Sequence, residues 1–239
     1  KQIPSGHREF ISDTAFEYYG KRMVSASADG YLRVWNLVND EWKLQSEIKA
    51  HTSLISRVDW AHPIFGQIFA ACLHNDSVAI YQETIGDDKK KTWIKRCSIA
   101  TNSLSPLDIS FCPSCFGLYL VTNGGEFDAS DLLQGRVRLY IQTGGYVPDM
   151  DMDERFFLPG EQARELPVVV QARNHPMSLA IGTDEDAEIW ELSDSHVWEQ
   201  RGVLQDSESA VRSIAWSNNI GKDYETIAAG CSVCVSSSR

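Results

Sequence analysis

Short runs in which apolar and polar residues alternate fill most of the chain, and turn residues separate them. A period of two residues is typical of β-strands that bury one face. Three groups of four runs predict strands over 10–16, 22–28, 31–37 and 42–48, over 54–60, 67–73, 76–82 and 92–99, and over 167–171, 177–182, 186–192 and 197–204. Between the second and third runs of the first group, Asp29-Gly30 predicts a tight hairpin turn, because both residues tolerate positive φ.

Large aromatic residues recur at matching places in these groups. One set closes the first run of each group: Phe16, Trp60, Phe111 and Trp216, with Gln171 in the same place. A second set closes a later run: Trp35, Tyr81, Tyr140 and Trp190. A third set opens the last run: Trp42, Trp93 and Trp198. The first set is spaced by 44, 51, 60 and 45 residues, close to the roughly 40–50 residues of one propeller blade.

Four antiparallel strands in each repeat can bury both faces of a small sheet only if the sheets stack on one another. The predicted fold class is therefore all-β, a β-propeller; a two-sheet sandwich competes but gives no reason for the recurrence. We expect a single domain whose blades cover approximately 6–49, 50–100, 101–145, 166–205 and 206–239, the last incomplete. We also expect an insertion over 126–134, a long surface loop over 143–166, and a last unit that stops after its second strand.

Composition narrows the function classes. The 239 residues include 22 basic and 33 acidic side chains, for a formal net charge of −11. Such a balance argues against broad nucleic-acid binding, which needs a basic surface. No apolar run approaches the ~18 residues of a membrane span, and we expect no signal sequence. Six cysteines are too few for a secreted disulfide scaffold and indicate a reducing compartment.

Two Cys-x-x-Cys pairs, at 112–115 and 231–234, are the strongest candidates for a metal site. They fall in different predicted blades, so we expect small core residues rather than a zinc site or a thioredoxin-like redox pair. The acidic runs 149–154 and 184–186 lack the spaced oxygen ligands and the glycine of a calcium loop. We expect no metal and no cofactor.

Catalytic chemistry finds no support either. No Gly-x-Ser-x-Gly elbow is present. His7 and His51 each open a unit, where we expect a structural hydrogen bond rather than a general base. Lys89, Lys90 and Lys91 form the one basic cluster, predicted to be a solvated hairpin tip. The sequence therefore predicts no catalytic residue, and partner-binding residues stay unknown at this stage.

Several segments resemble WD repeats. Gly6-His7, Ser27-Ala28-Asp29-Gly30 and Val34-Trp35 are similar to the Gly-His and Trp-Asp marks of those repeats. More specific segments resemble the subfamily that holds the Sec-thirteen coat protein and the Seh-one nucleoporin: 16–23 and 57–70. Segments 93–96, 111–118 and 211–224 lean toward the Seh-one type. Over 231–239 the Asp-Gly turn and the strand ending in Trp are missing, so the resemblance is to a C-terminally incomplete member.

The resemblance implies an open six-bladed WD-repeat propeller, of which about five blades are recognisable, completed in trans by a blade from a helical scaffold nucleoporin. It implies a non-catalytic scaffold subunit of the Y-shaped nuclear pore coat complex at the nuclear envelope, supporting nucleocytoplasmic transport beside other Y-complex subunits. A second implied role is in a vacuolar or lysosomal complex that regulates TORC1. Direct contact with nucleic acid is not expected, and membrane association is expected only through partners. The alternatives are a vesicle-coat propeller of the Sec-thirteen type, in the COPII outer coat, and a WD-repeat module that reads a peptide.

Overall fold

A computed structural model describes residues 3–74, 77–86, 89–100, 104–112, 118–126, 135–143, 151–159, 168–171, 178–182, 186–193, 198–204, 211–217, 226–231 and 235–238. These residues form antiparallel β-sheets and one turn of 3-10 helix, η1 (Pro63–Phe65). Within the same ranges, no helix has the length and apolar character needed to cross a bilayer.

Five sheets follow one another along the chain, and we call them the first to fifth blades. The first two contain β1 (Ile11–Phe16), β2 (Arg22–Ser27), β3 (Tyr31–Val38) and β4 (Glu41–Lys49), then β5 (Ile55–Trp60), β6 (Ile68–Leu73), β7 (Ser77–Ile85) and β8 (Lys91–Ala100). The third contains β9 (Leu104–Phe111), β10 (Tyr119–Glu126), β11 (Gly135–Thr143) and β12 (Asp151–Pro159). The last two contain β13 (Val168–Gln171), β14 (Ser178–Gly182), β15 (Ala187–Leu192) and β16 (Trp198–Leu204), then β17 (Val211–Trp216), β18 (Ile227–Cys231) and β19 (Val235–Ser238).

Each blade packs on the next through its first strand. In order, β1 contacts β5, β5 contacts β9, β9 contacts β13, and β13 contacts β17. No comparable packing joins the fifth blade to the first among the strands that the structure describes. The predicted fold class is confirmed as an all-β, open β-propeller; the predicted blade limits stay predictions.

Two stretches differ from the sequence predictions. The expected surface loop over 143–166 is wrong for β12, whose residues pair with β11 from Thr143↔Asp151 to Arg136↔Pro159. The acidic run suggested a loop, but an edge strand with one open side accepts charged residues. The fifth blade likewise has a third strand, β19, paired with β18. Backbone pairing requires neither the Asp-Gly turn nor the terminal Trp whose absence led to that prediction. The predicted insertion over 126–134 lies almost wholly outside the described residues.

The hairpin turn at Gly30 is confirmed. Gly30 has φ 75° and its amide donates to Ser27 O at 3.2 Å. A Cβ at this residue would collide with the His51 carbonyl oxygen, so glycine is required both for its φ and for the close approach of the next blade.

Carboxyl groups on the first strands of the blades connect successive blades. One oxygen of Asp13 accepts the Val58 amide at 3.0 Å, and one oxygen of Asp59 accepts the Phe111 amide at 2.7 Å. These bonds satisfy backbone donors that the blade's own sheet leaves open, and they hold β1 to β5 and β5 to β9.

Candidate functional site

A buried polar network connects the N-terminal segment to the first blade. His7 Nδ1 lies 3.1 Å from Asp29 Oδ2, and its Nε2 lies 2.9 Å from Ser25 Oγ. Trp35 Nε1 donates to the same Ser25 hydroxyl at 3.1 Å. The predicted structural hydrogen bond of His7 is therefore present. It belongs to a network that also includes Asp29, Ser25 and Trp35.

The arrangement has the order of a Ser-His-Asp triad but lacks the access that nucleophilic catalysis needs. Ser25 is buried, and its oxygen already accepts a hydrogen bond from Trp35. Burial lowers the pKa of His7, although Asp29 acts in the opposite direction. Burial alone would raise the pKa of Asp29, but hydrogen bonds from the amides of Arg8 and Tyr31 and from His7 lower it to about 2. A neutral imidazole between a carboxylate and a hydroxyl stabilises the blade, and no substrate can reach the serine.

The other candidate residues are not brought together. His51 accepts the Ser53 amide at 3.3 Å near its own turn. Cys112 is buried after β9 and Cys231 ends β18, two blades away, while their motif partners lie outside the described residues. Lys89 and Lys90 are exposed at the β7–β8 hairpin, as predicted. In the described ranges no group of metal-binding side chains is present.

The first blade has one face turned away from the second blade. On its other face, Val24 and Val34 share an apolar cluster with Trp60 and Tyr81 of the second blade. Because neighbouring residues on a strand point to opposite faces, the register line Phe16↔Met23↔Trp35↔Leu44 lies on the free face.

Half of this free face is covered by the N-terminal segment. Arg33 Nη1 donates to the Ser5 carbonyl oxygen at 2.6 Å, beside the His7–Ser25 contact. The other half is open: Phe16 is 55% exposed and Leu44 is 49% exposed. The Phe16 and Trp42 rings lie 5.7 Å apart, so the open half is a continuous apolar patch. We call this patch, formed by Phe16, Trp42 and Leu44, the open face.

The same register positions are buried in the second blade. The line Trp60↔Phe69↔Tyr81 corresponds to Phe16↔Met23↔Trp35, and its side chains are 7%, 0% and 3% exposed. Trp93, at the place of Trp42, has its ring 4.7 Å from Phe69. The open face is therefore a blade-packing surface on which no strand of the described ranges packs, and apolar surface of this kind marks an interaction site.

Known proteins match both the repeat and the whole chain. Residues 1–36, which hold the complete His7 network, match the family described as WD domain, G-beta repeat. "Nucleoporin seh1" of Schizosaccharomyces pombe is 29% identical over 96% of this chain and 68% of its own length. "Nucleoporin SEH1" of Danio rerio is 27% identical, and that of Xenopus tropicalis 26%, each over 95% of this chain and 65% of its own length. The predicted resemblance to the Seh-one type of WD-repeat nucleoporin is confirmed. The chain thus spans about two thirds of the length of these Seh-one relatives.

The open face was not identified from the sequence, which left the partner-binding residues unknown. One signal was available: the aromatic residue closing the first run recurs in the first, second, third and fifth units, which places Phe16 at a repeated position. Its exposure could not be read from the sequence, since exposure depends on whether a neighbouring blade is present.

Proposed function

We propose that this chain is a non-catalytic scaffold subunit of the nuclear pore complex, and that it binds a helical nucleoporin by accepting a blade from it against the open face. Two things support the proposal. The relatives that match the chain are nucleoporins by name. The open face exposes apolar side chains at positions that are buried in the second blade, where the first blade packs on them.

β-Augmentation by a partner is the expected way to cover such a surface. An added strand or blade covers both apolar side chains and unpaired strand edges, and this combination gives stable association. In this proposal the chain sits at the nuclear envelope within the Y-shaped coat, beside other subunits, and supports nucleocytoplasmic transport. A complex regulating TORC1 at the vacuole or lysosome would use the same face with a different helical protein.

The test is co-purification with the helical scaffold nucleoporin of the same organism. We expect a one-to-one complex by light scattering and a higher thermal midpoint than for the chain alone, because a ligand that binds only the folded state stabilises it. Phe16→Asp combined with Leu44→Asp should weaken binding by about a hundredfold or more, since it places two carboxylates in an apolar contact.

Ile85→Asp is the matched control, because Ile85 is 69% exposed at the β7–β8 hairpin of the second blade, away from the open face. It should leave the affinity unchanged. A monomeric chain whose thermal midpoint ignores the nucleoporin would contradict the proposal, and so would a complex that tolerates the double substitution at the open face.

A further inference from the structure

Equivalent positions at successive blade junctions can be assigned from backbone hydrogen bonds. The amides of Glu17, Ala61 and Cys112 donate to the carbonyl oxygens of Arg22, Ile68 and Tyr119. These three acceptors are therefore equivalent, and so are the residues just before them, Lys21, Gln67 and Leu118. The acceptor position points to the following blade and the preceding residue to the previous blade, because neighbouring residues alternate in direction.

At the first junction, between the first and second blades, the acceptor-position residue Arg22 and the preceding-position residue Gln67 are both polar and bind each other. Arg22 Nη1 donates to Gln67 Oε1 at 2.9 Å. The same guanidinium makes a bidentate pair with Glu83, at 3.0 and 2.7 Å, and is 13% exposed. Arg22 also lies over the ring of Trp93, 5.3 Å from its centroid. The cation is thus paired with a carboxylate, which is what a largely buried charge requires.

At the second junction the two positions match as apolar partners. Ile68 is 1% exposed, and it belongs to the same apolar cluster as Leu118, which is buried in the third blade. The chain therefore uses two solutions at its junctions, polar with polar and apolar with apolar. At both junctions, the residue that faces the previous blade is polar where its partner in that blade is polar, and apolar where its partner is apolar.

The open face has a cation at this position. The Lys21 carbonyl oxygen accepts the Leu37 amide at 2.8 Å, as that of Gln67 accepts the Glu83 amide at 2.9 Å. Lys21 and Leu37 thus stand where the second blade has Gln67 and Glu83. Lys21 is exposed, and in the described part of the chain its ammonium group forms no ion pair.

The turn that carries Lys21 is rigidly held. One carboxylate oxygen of Glu17 accepts the Lys21 amide at 3.0 Å and the other accepts the Tyr19 amide at 2.9 Å. Glu17 is itself buried. The backbone of Lys21 is therefore ordered before any partner binds, which lowers the entropic cost of using this residue in an interface.

We propose that the chain completing this propeller places an aspartate or glutamate opposite Lys21, next to an apolar side chain that packs on the open face. This inference rests on the blade completion proposed above and adds the chemistry of the partner. A partner with a cation here would leave two like charges in a desolvated contact, and a neutral partner would leave Lys21 unpaired.

The same rule argues against completion by a second copy of this chain. In the four blades where the structure describes this position, the residues directed forward are Arg22, Ile68, Tyr119 and Thr226, the last identified by the bond from the Ser217 amide to the Thr226 carbonyl oxygen. None is acidic, and Arg22 would repel Lys21. Like-charge juxtaposition is the usual way in which an interface rejects a wrong partner.

The test uses the purified complex with the helical scaffold nucleoporin and the variants Lys21→Glu and Lys21→Met. We expect Lys21→Glu to weaken binding by about thirtyfold or more and Lys21→Met by about threefold to tenfold, because reversal adds repulsion to the loss of a pair. Lys43→Glu is the control, since Lys43 is exposed on the other face of the first blade and should not change the affinity. A carbodiimide, which joins an amine directly to a touching carboxylate, should link Lys21 to an Asp or Glu of the nucleoporin.

Failure of this inference can be distinguished from failure of blade completion. If the complex forms and Phe16→Asp disrupts it while Lys21→Glu binds within about twofold of the parent chain, completion stands and the carboxylate inference is wrong. If Phe16→Asp also has no effect, completion at the open face is wrong. A cross-link from Lys21 to a second copy, or to another segment of its own chain, would overturn the inference as well. Because Lys21 is exposed, its variants should unfold at the same urea concentration as the parent chain.

Discussion

The first and second blades place large apolar side chains at the same register positions but in different surroundings. Trp60 lies under the first blade, where its Nε1 donates to the Ala15 carbonyl oxygen at 3.0 Å and its ring packs on Phe69. Phe16, its counterpart, packs on Trp42 alone among the described aromatic rings. The two blades obey the same local rules, so the difference in burial reports on their neighbours. An exposed residue at a repeat position can thus be assigned a role from its buried copies.

The largest expected difference between the two blades is in the free energy of unfolding when the paired residues are truncated. Trp60→Ala should cost about 3–5 kcal/mol, because it empties a packed site and removes a hydrogen bond. Phe16→Ala should cost less than about 1 kcal/mol, because more than half of that ring is already in water. Urea unfolding followed by circular dichroism measures both. Equal costs would mean that the open face is covered in solution, and the comparison would fail.

In the presence of the helical nucleoporin, the free-energy cost of truncating Phe16 should become larger. If the nucleoporin covers the open face as proposed, Phe16→Ala should lower the stabilisation that the partner confers, while Trp60→Ala destabilises the chain with or without the partner. This second measurement connects stability to the interface without requiring the identity of each contact.

A somewhat smaller effect is expected from the polar side of the first junction. Arg22→Met should destabilise the chain by about 3 kcal/mol, because Glu83, whose side chain is only 6% exposed, loses its bidentate partner. Lys91, at 3.8 Å from the same carboxylate, compensates only in part because it is well exposed. The double variant Arg22→Met with Glu83→Leu should recover most of the loss, since it also removes the unpaired carboxylate and makes this junction apolar, as the next junction is at Ile68 and Leu118.

If the double variant were no more stable than Arg22→Met alone, the junctions would not be interchangeable in chemistry. The inference of an acidic partner for Lys21, which is argued from two blade junctions, would then be supported by only one of them. A double-mutant cycle with both single variants provides this measurement.

Much of the fold was predictable because period-two alternation and aromatic spacing are local. The strands of the first, second and fourth blades agree with the predicted ones within a few residues, and the hairpin predicted at Asp29-Gly30 joins β2 to β3. Residues 151–159 fall within the loop predicted over 143–166, because the acidic run there suggests a surface loop, whereas the pairing that makes them a strand comes from β11. The His7 contact was predicted, but its partners Ser25 and Asp29 were not, because they are 18 and 22 residues away in sequence.

The candidate site depended on comparison of blades in three dimensions. Lys21 reads as an ordinary surface lysine in a turn, and only its equivalence to Gln67 and Leu118 gives it a place at a junction. That equivalence comes from the backbone hydrogen bonds, whose register no single-residue pattern contains. A sequence alignment of the blades to one another could have found it once the junction geometry was known.

The last prediction concerns the pH dependence of Asp59, whose carboxyl group joins the second blade to the third. Burial, with the nearby charges of Asp108 and Asp13, raises the pKa of Asp59 to about 7, although the amides of Phe111 and Trp60 oppose the shift. In the unfolded chain this carboxyl has its ordinary pKa, near 3.8. Between these values the folded chain holds a proton that the unfolded chain has lost, so stability should fall as pH rises from about 4 to about 7. We expect this decrease in the difference in unfolding free energy between the parent chain and Asp59→Asn, measured at four pH values across this range. Asp40→Asn, at an exposed turn of the first blade, is the control and should follow the parent profile. A parent profile that is flat relative to Asp59→Asn would contradict this prediction. It would show that Asp59 is ionised in the folded chain, so that β5 and β9 would be held together by a charged group, as Arg22 and Glu83 are at the first junction.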